Sequence, residues 1–204
     1  MKIDKYELTK NNNYNVYLSN GEVLTLDERV ITSNSLLLKK EIDSSLYDKL
    51  KIDNDIISLY NMAIKYINVR LRSEREIRDY LAKKCDNSDY IDVVVDRLIL
   101  YKYLDDDRFS KAFIKDKINF TMMGDYKIRK ELERFGIDND IINNNIDDID
   151  SEVITSRIKK IIEKDIRCNK KYSGINLKNK IFNHLISQGY SKDKVISVIN
   201  SYDF

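Results

Sequence analysis

The chain of 204 residues contains no proline, no tryptophan, five glycines, two cysteines and one histidine. Because proline and glycine interrupt helices, their scarcity favours uninterrupted helices over turn-rich sandwiches. Cys85 and Cys168 are isolated thiols, which argues against a disulfide framework or a zinc site. With His184 as the single histidine, we expect neither a His-based catalytic triad nor a His-rich metal site.

Long apolar runs are also missing. No stretch approaches the roughly 20 apolar residues of a membrane-spanning helix, and Met1 leads into charged residues rather than an apolar signal segment. We therefore expect a cytoplasmic protein without a membrane partner. No glycine-rich phosphate-binding loop can be found among the five glycines, and nothing in the sequence indicates a cofactor.

What the chain does contain is an apolar phrase that occurs three times, at a spacing of roughly 50 residues. Its members are Ile77 and Leu81, Ile128 and Leu132, and Ile181 and Leu185. A single small unit cannot bury its apolar face alone, so the repetition indicates one supersecondary unit used several times. Such an array suits an extended surface for a large partner better than a deep catalytic pocket.

Capping residues delimit the helices within each unit. Ser73 followed by Glu76 predicts an N-cap with a capping box, while Gly136 and Gly189 are placed to end helices, a position that Cys85 holds in the first unit. We predict a mainly α protein of nine helices from residue 56 onwards. They form three tandem three-helix repeats, residues 56–104, 105–150 and 151–204.

Residues 1–55 are predicted to form a small cap that contains a β-hairpin. Two alternating segments, residues 14–18 and 22–26, flank Ser19-Asn20-Gly21, and Asn-Gly is a strong hairpin signal. Residues 3–8 could add a third strand, and short helices or turns follow. Residues 51–55 are interpreted as a linker to the first repeat.

Basic residues recur in every repeat. From Arg157 to Lys194, eleven Lys or Arg stand against three acidic residues. Arg72, Arg75 and Arg78 lie three residues apart, which predicts a basic ridge on the solvent side of a helix. This asymmetry suits a phosphate backbone or an acidic protein surface, although solvated helices also carry many charges. The candidate binding residues are Arg70, Arg72, Arg75, Arg78, Lys127, Lys130, Arg134, Lys170, Lys171, Lys178 and Lys180.

Two other sets of residues could carry chemistry. A divalent-metal nuclease would need carboxylates such as Asp105, Asp106 and Asp107. Adjacent residues of a helix point about 100° apart, so capping of a helix is the favoured interpretation. Seven tyrosines lie mostly at apolar-stripe positions, which favours core packing over base stacking. They are Tyr66, Tyr80, Tyr101, Tyr103, Tyr126, Tyr172 and Tyr190.

Four phrases resemble the RecX family, bacterial modulators of the RecA recombinase. Residues 70–77 read Arg-Leu-Arg-Ser-Glu-Arg-Glu-Ile, close to the family's Arg-x-Arg-Ser-x-x-Glu-Leu, and residues 103–110 are similar to its Tyr-Leu-Asp-Asp phrase. Residues 124–137 and 185–196 match the later glycine and apolar pattern. Lys102 replaces the family's glycine before Tyr-Leu-Asp-Asp, and Cys85-Asp86 replaces a Lys-Gly ending.

The resemblance implies that the three repeats form a curved elongated array. It also implies a non-enzymatic regulator that binds RecA filaments, with single-stranded or double-stranded DNA as a further partner. Filament growth, ATPase activity and strand exchange would be inhibited, and we expect a monomer without metal or cofactor. The alternative is an autonomous DNA-binding helical protein, because three-helix units also occur in helix-turn-helix modules.

Overall fold

The structure, a computed structural model, describes residues 1–9 and 13–204. In these ranges a small N-terminal sheet is followed by ten helices, which confirms the predicted mainly α fold. The strands are β1 (Ile3–Leu8), β2 (Asn13–Leu18) and β3 (Val23–Asp27). The helices are α1 (Glu28–Ser33), α2 (Ser44–Ile67), α3 (Glu74–Ala82), α4 (Ser88–Leu100), α5 (Asp106–Phe120), α6 (Asp125–Arg134), α7 (Asn139–Asp147), α8 (Ser151–Cys168), α9 (Gly174–Gln188) and α10 (Lys192–Ile199).

The N-terminal sheet is antiparallel with the order β1-β2-β3. Gly21, at a φ of +86°, lies in the turn between β2 and β3, so the predicted hairpin and third strand are both confirmed. Alternate residues of β2 and β3 are buried in one core with α1, because successive residues of a strand point to opposite faces of the sheet and one face is covered. They are Val16, Leu18, Leu24 and Leu26.

The linker predicted at residues 51–55 is wrong, because α2 passes through this segment without interruption. Its polar residues hydrogen bond to the cap. The Asn54 side chain accepts from the Asp27 amide at 2.9 Å and donates to the Thr25 carbonyl at 3.3 Å, and Asp53 accepts from Asn34 at 3.0 Å. A polar stretch that resembled a flexible connection is therefore a contact surface of a continuous helix.

From residue 44 onwards the described chain forms nine helices, α2 to α10, as predicted, but α2 begins at Ser44 rather than at Ile56. Acidic side chains cap several of them at their N-termini, where free amides and the helix dipole favour a carboxylate. Asp43 accepts from the Leu46 amide at 2.7 Å, and Asp138 accepts from the Asp140 amide at 2.8 Å. Asp138 was predicted as a cap, and its local contact explains why that helix start could be read from the sequence, whereas the start at Asp43 was not predicted.

Glycines end two of the repeated helices as predicted. Gly136 follows α6 at a φ of +76°, and Gly189 follows α9 at +92°, both in the left-handed region that glycine enters without strain. Cys85 is not among the described residues with a positive φ, so it does not adopt the left-handed conformation of Gly136 and Gly189. The first repeat therefore ends its corresponding helix by a different turn.

By its contacts the chain divides into two compact units. The first comprises Met1–Leu71 and Glu76–Leu104, and the second comprises Arg72–Arg75 and Asp105–Phe204. Two apolar cores lie in the first unit and two in the second, where Ile149 packs against both. The division into one cap and three repeats stays a prediction. Among the described helices none is long and apolar enough to cross a bilayer.

Candidate nucleic-acid and protein interface

The first group of candidate residues is Arg70, Arg72, Arg75 and Arg78. Because α3 begins at Glu74, Arg70 and Arg72 precede the helix. The predicted ridge of Arg72, Arg75 and Arg78 along one helix is therefore wrong, and only Arg75 and Arg78 lie on α3. Spacing alone could not show where the helix begins.

Two arginines of this group form exposed ion pairs within the first unit. Arg70 donates to both carboxylate oxygens of Glu76 and to the Leu71 carbonyl, while Arg78 pairs with Asp92. Pairs of this kind contribute little to stability, since water screens them and two long side chains must be ordered. Each guanidinium can therefore exchange its carboxylate for a phosphate or for an acidic group of a partner.

Arg75 and its neighbours have structural contacts in the second unit. A methyl group placed on Gly136 would lie 2.7 to 3.3 Å from the aliphatic stem of Arg75, so the stem covers this glycine. The buried Ser73 hydroxyl donates to the Phe135 carbonyl at 2.8 Å. The Arg-x-Arg-Ser segment thus contributes to packing as well as to surface charge.

The second group, Lys127, Lys130 and Arg134, lies along α6 at helical spacing. Lys130 pairs with Glu133 at 2.8 Å and Arg134 with Glu131 at 3.3 Å. Hydrogen bonding to Glu133 raises the pKa of Lys130. Lys127 is half-buried with its stem against Gly189. Carboxylates on the same helix thus compensate much of the positive charge of this group.

The third group, Lys170, Lys171, Lys178 and Lys180, differs from the other two. Lys171 and Lys180 lie over the ring of Tyr172, with Nζ at 5.4 and 4.3 Å from the ring centre. Lys178 donates to the Asn200 amide oxygen at 2.9 Å. None of these four lysines forms an ion pair with a carboxylate among the described residues, so their charge is uncompensated. We name Lys171, Tyr172 and Lys180 the Tyr172 cluster.

Several tyrosines do not follow the core-packing prediction. Tyr66 and Tyr80 stack at 4.3 Å beside the first-repeat core, and Tyr190 is buried, as predicted. The exposed fraction of Tyr172, by contrast, is 37%. Tyr101, Tyr103 and Tyr126 are also exposed. Tyr172 occupies the turn between α8 and α9, outside any apolar stripe, and that position was the signal that sequence reasoning missed.

The three carboxylates at the start of α5 contact different groups. Asp105 caps the helix by accepting from the Arg108 amide at 2.9 Å, and Asp106 accepts from the Glu74 amide at 2.8 Å. Asp107 pairs with Lys111 at 2.7 Å and accepts from Asn145 at 3.0 Å. The capping interpretation is confirmed for Asp105 at the start of α5. Within the described ranges no group of three His, Cys, Asp or Glu side chains is placed to hold a metal ion.

Comparison with known proteins shows which family this chain resembles. A model of the first three-helix domain of RecX matches residues 60–98, and a model of the second matches residues 105–144. The regulatory protein RecX of Halalkalibacterium halodurans is 29% identical over 195 residues, 93% of this chain and 73% of the relative. That of Clostridium botulinum is 29% identical over 202 residues, 97% and 94% of the two chains.

A crystal structure of regulatory protein RecX superposes over 98% of both chains with a TM-score of 0.85 at 22% identity, which shows the same fold. The chain thus resembles the RecX family in both domain models and along nearly its whole length. The range matched by the first RecX domain model ends within α4. The range matched by the second begins just before α5 and ends at Asn144, within α7. The Tyr172 cluster lies outside both matched ranges.

The likeness to RecX also gives a structural meaning to one departure from the pattern of that family. Lys102 follows α4 at a φ of +60°, in the left-handed region that suits glycine. Its amide donates to the Ile99 carbonyl at 3.0 Å, and the Tyr103 amide donates to Leu98 at 2.9 Å, which together form a Schellman ending. The turn that the RecX pattern builds with glycine is thus kept here by a strained lysine.

Proposed function

We propose that this protein is a RecX family member that binds RecA filaments on DNA in the cytoplasm and limits filament growth, ATPase activity and strand exchange, without catalysing a reaction. The likeness to the RecX family supports RecA as the partner. The observation that supports a direct contact with DNA is the Tyr172 cluster, where two lysines without carboxylate partners in the described chain flank an exposed ring.

The Tyr172 cluster has the chemistry of a single-strand contact. Lysines near phosphates release condensed counterions, which favours binding at low salt. An accessible aromatic ring can stack on a base, a contact of about 1–3 kcal/mol that tolerates any sequence. A surface that lacks sequence preference suits a regulator of filaments, because filaments form on many DNA sequences.

The arginine group around α3 and the basic face of α6 are proposed to contact RecA. Their ion pairs are exposed, as with Arg78 and Asp92, whose side chains are 38% and 57% accessible. An acidic surface on a RecA protomer can replace such intramolecular partners at small cost. Several modest contacts along one polymer would then add through effective concentration.

The first experiment measures inhibition of RecA ATPase on single-stranded DNA. The double variant Lys171→Gln/Lys180→Gln should inhibit less than the unchanged protein. Lys159→Gln/Lys164→Gln is the matched control, since it removes two exposed lysines of α8 outside the cluster. Equal inhibition by both double variants would remove the Tyr172 cluster from the interface.

The arginine assignment is tested by a pair of variants that break the same ion pair. Arg78→Gln removes the cation and Asp92→Asn removes its carboxylate, so loss of the pair itself is common to both. We expect only Arg78→Gln to weaken inhibition of RecA ATPase. If the two variants behave alike, Arg78 does not contact RecA.

The Tyr172 cluster also favours a second candidate function, DNA binding without RecA. A salt titration with free single-stranded DNA separates the two. Tight binding that falls steeply with salt, without inhibition of RecA ATPase, would favour the autonomous function. Loss of two phosphate contacts in Lys171→Gln/Lys180→Gln should reduce the salt slope by about 1.4, at about 0.7 per contact on a single strand.

A further inference from the structure

A cleft of about 530 Å³ lies in the first compact unit, between α1, α2 and α4. Its walls include Arg29, Lys49, Asp53, Tyr60, Arg97 and Tyr101. None of these residues belongs to the three basic groups described above. The cleft exists because α2 is continuous, so that α1 and α4 both pack along it.

The lining is positively charged. Its cations are Arg29, Lys49 and Arg97, and its carboxylate is Asp53; Asp27, outside the lining, compensates Arg29, so that Lys49 and Arg97 carry the excess charge. Arg97 is half-buried, and neither it nor Lys49 forms an ion pair with any carboxylate of the described residues. A partly desolvated guanidinium is unfavourable without an anion, so a negatively charged ligand would be stabilised here.

Arg29 is held in place by groups outside the cleft lining. Asp27 accepts from its Nε at 2.9 Å and from its Nη2 at 2.8 Å, and Asn61 accepts from Nη2 at 2.6 Å. Nη1 has no hydrogen-bond partner in the described part of the chain. The guanidinium is therefore oriented in advance and keeps one donor nitrogen available, which lowers the ordering cost of binding.

The two tyrosines complete the site. Burial raises the pKa of the Tyr60 hydroxyl, while the charges of Arg29 and Arg97 act in the opposite direction, so both guanidinium groups lie near this phenol. Tyr101 is 61% exposed where α4 ends. The cleft thus presents the exposed ring of Tyr101 beside the guanidinium groups of Arg29 and Arg97.

We propose that this cleft binds a phosphate-bearing nucleotide, with Arg29 and Arg97 on the phosphate and Tyr101 against the base. Planar guanidinium forks match phosphate oxygens, and a base stacks on an exposed aromatic ring. The cleft is far larger than a carboxylate needs, which favours a nucleotide over an acidic side chain. Free nucleotides and the terminal phosphate of a DNA strand share this chemistry. The inference goes beyond the proposed function, since no residue of the cleft takes part in it.

The test is calorimetric titration of the full chain with thymidine monophosphate, thymidine and a glutamate-rich peptide. Thymidine monophosphate should bind at least about tenfold more tightly than thymidine, as expected for charge-assisted contacts to phosphate. Equal binding of thymidine, or tighter binding of the acidic peptide, would overturn the proposal. Competition by a 5′-phosphorylated oligothymidylate, but not by its unphosphorylated form, would support the proposal with strand ends as the source. Competition by neither would support free nucleotides.

The variants Arg97→Gln and Lys49→Gln locate the site. Each should weaken binding of thymidine monophosphate, Arg97→Gln by about tenfold or more. Lys51→Gln is the matched control on α2, because Lys51 is exposed and lies outside the cleft lining. Thermal unfolding checks that each variant is folded, and the exposed position of Lys49 keeps the test valid if Arg97→Gln unfolds. Unchanged affinity in a folded Arg97→Gln or Lys49→Gln variant would refute this placement.

Discussion

Gly124 offers the most direct test of how the start of α6 packs against the end of α9. It precedes α6, and its amide donates to the Gln188 carbonyl at 2.8 Å, while the Tyr126 amide donates to the Gly189 carbonyl at 3.0 Å. A methyl group on Gly124 would lie 2.5 Å from the Gly189 carbonyl oxygen and closer still to two further backbone atoms, Gly189 C and Tyr190 N. Backbone cannot rotate away as a flexible side chain can.

The size of the effect of Gly124→Ala follows from these contacts. The φ of −82° and ψ of 170° at Gly124 are open to alanine, so the cost is steric. Relief of the overlap requires the two helix ends to separate, which removes two backbone hydrogen bonds of about 1 kcal/mol each. Overpacking strain adds about 1–3 kcal/mol. We expect a loss of about 3–5 kcal/mol in the free energy of unfolding, a large part of typical stability.

Urea denaturation followed by far-UV circular dichroism measures this loss. Gly174→Ala is the control, because a methyl group there meets nothing within 4 Å and only the φ of +54° is unfavourable. That variant should lose about 1 kcal/mol. If Gly124→Ala is no less stable than Gly174→Ala, the close backbone approach between α6 and α9 is wrong.

Two further predictions concern stability. Lys102→Gly should raise the free energy of unfolding by about 0.5–1 kcal/mol, since glycine adopts the φ of +60° without strain; a lower urea midpoint would contradict this. The hydrogen bonds from Arg29 lower the pKa of Asp27 from 3.8 to about 2. Asp27→Asn keeps a side-chain oxygen for capping but removes the charge that Arg29 stabilises. The variant should lose about 1–2 kcal/mol at neutral pH, allowing for the exposed partner. Because the carboxylate is stabilising above its unfolded pKa, the difference from the unchanged protein should shrink as pH falls from about 4 to about 2. A difference that is constant over this range would refute the assignment.

Local signals in the sequence determined most of the helices. Apolar residues at helical spacing define the buried stripe of a helix, and the caps at Asp105 and Asp138 act within one turn of the chain. The left-handed stops at Gly136 and Gly189 are likewise local, since each is set by its own φ. Properties that depend on a few neighbouring residues can be read from their order alone.

Other features depend on residues that are distant in sequence. Asn54 looked like part of a polar linker because its partners, Asp27 and Thr25, belong to another segment. The nucleotide-sized cleft has the same origin, since Arg29 and Arg97 both line it because α1 and α4 pack against α2. Long-range packing is invisible to periodicity.

For the candidate surface, too, the sequence determined some features and the tertiary structure decided others. Sequence by itself identified the basic residues and, through four phrases, the likeness to the RecX family, because charge and motif are properties of residue order. Tertiary structure decided which charges are compensated: Arg78 pairs with Asp92 across two helices, whereas Lys171 and Lys180 lie over the ring of Tyr172 with no carboxylate partner in the described ranges. The net field at a surface depends on the distance between charges, and folding alone sets that distance.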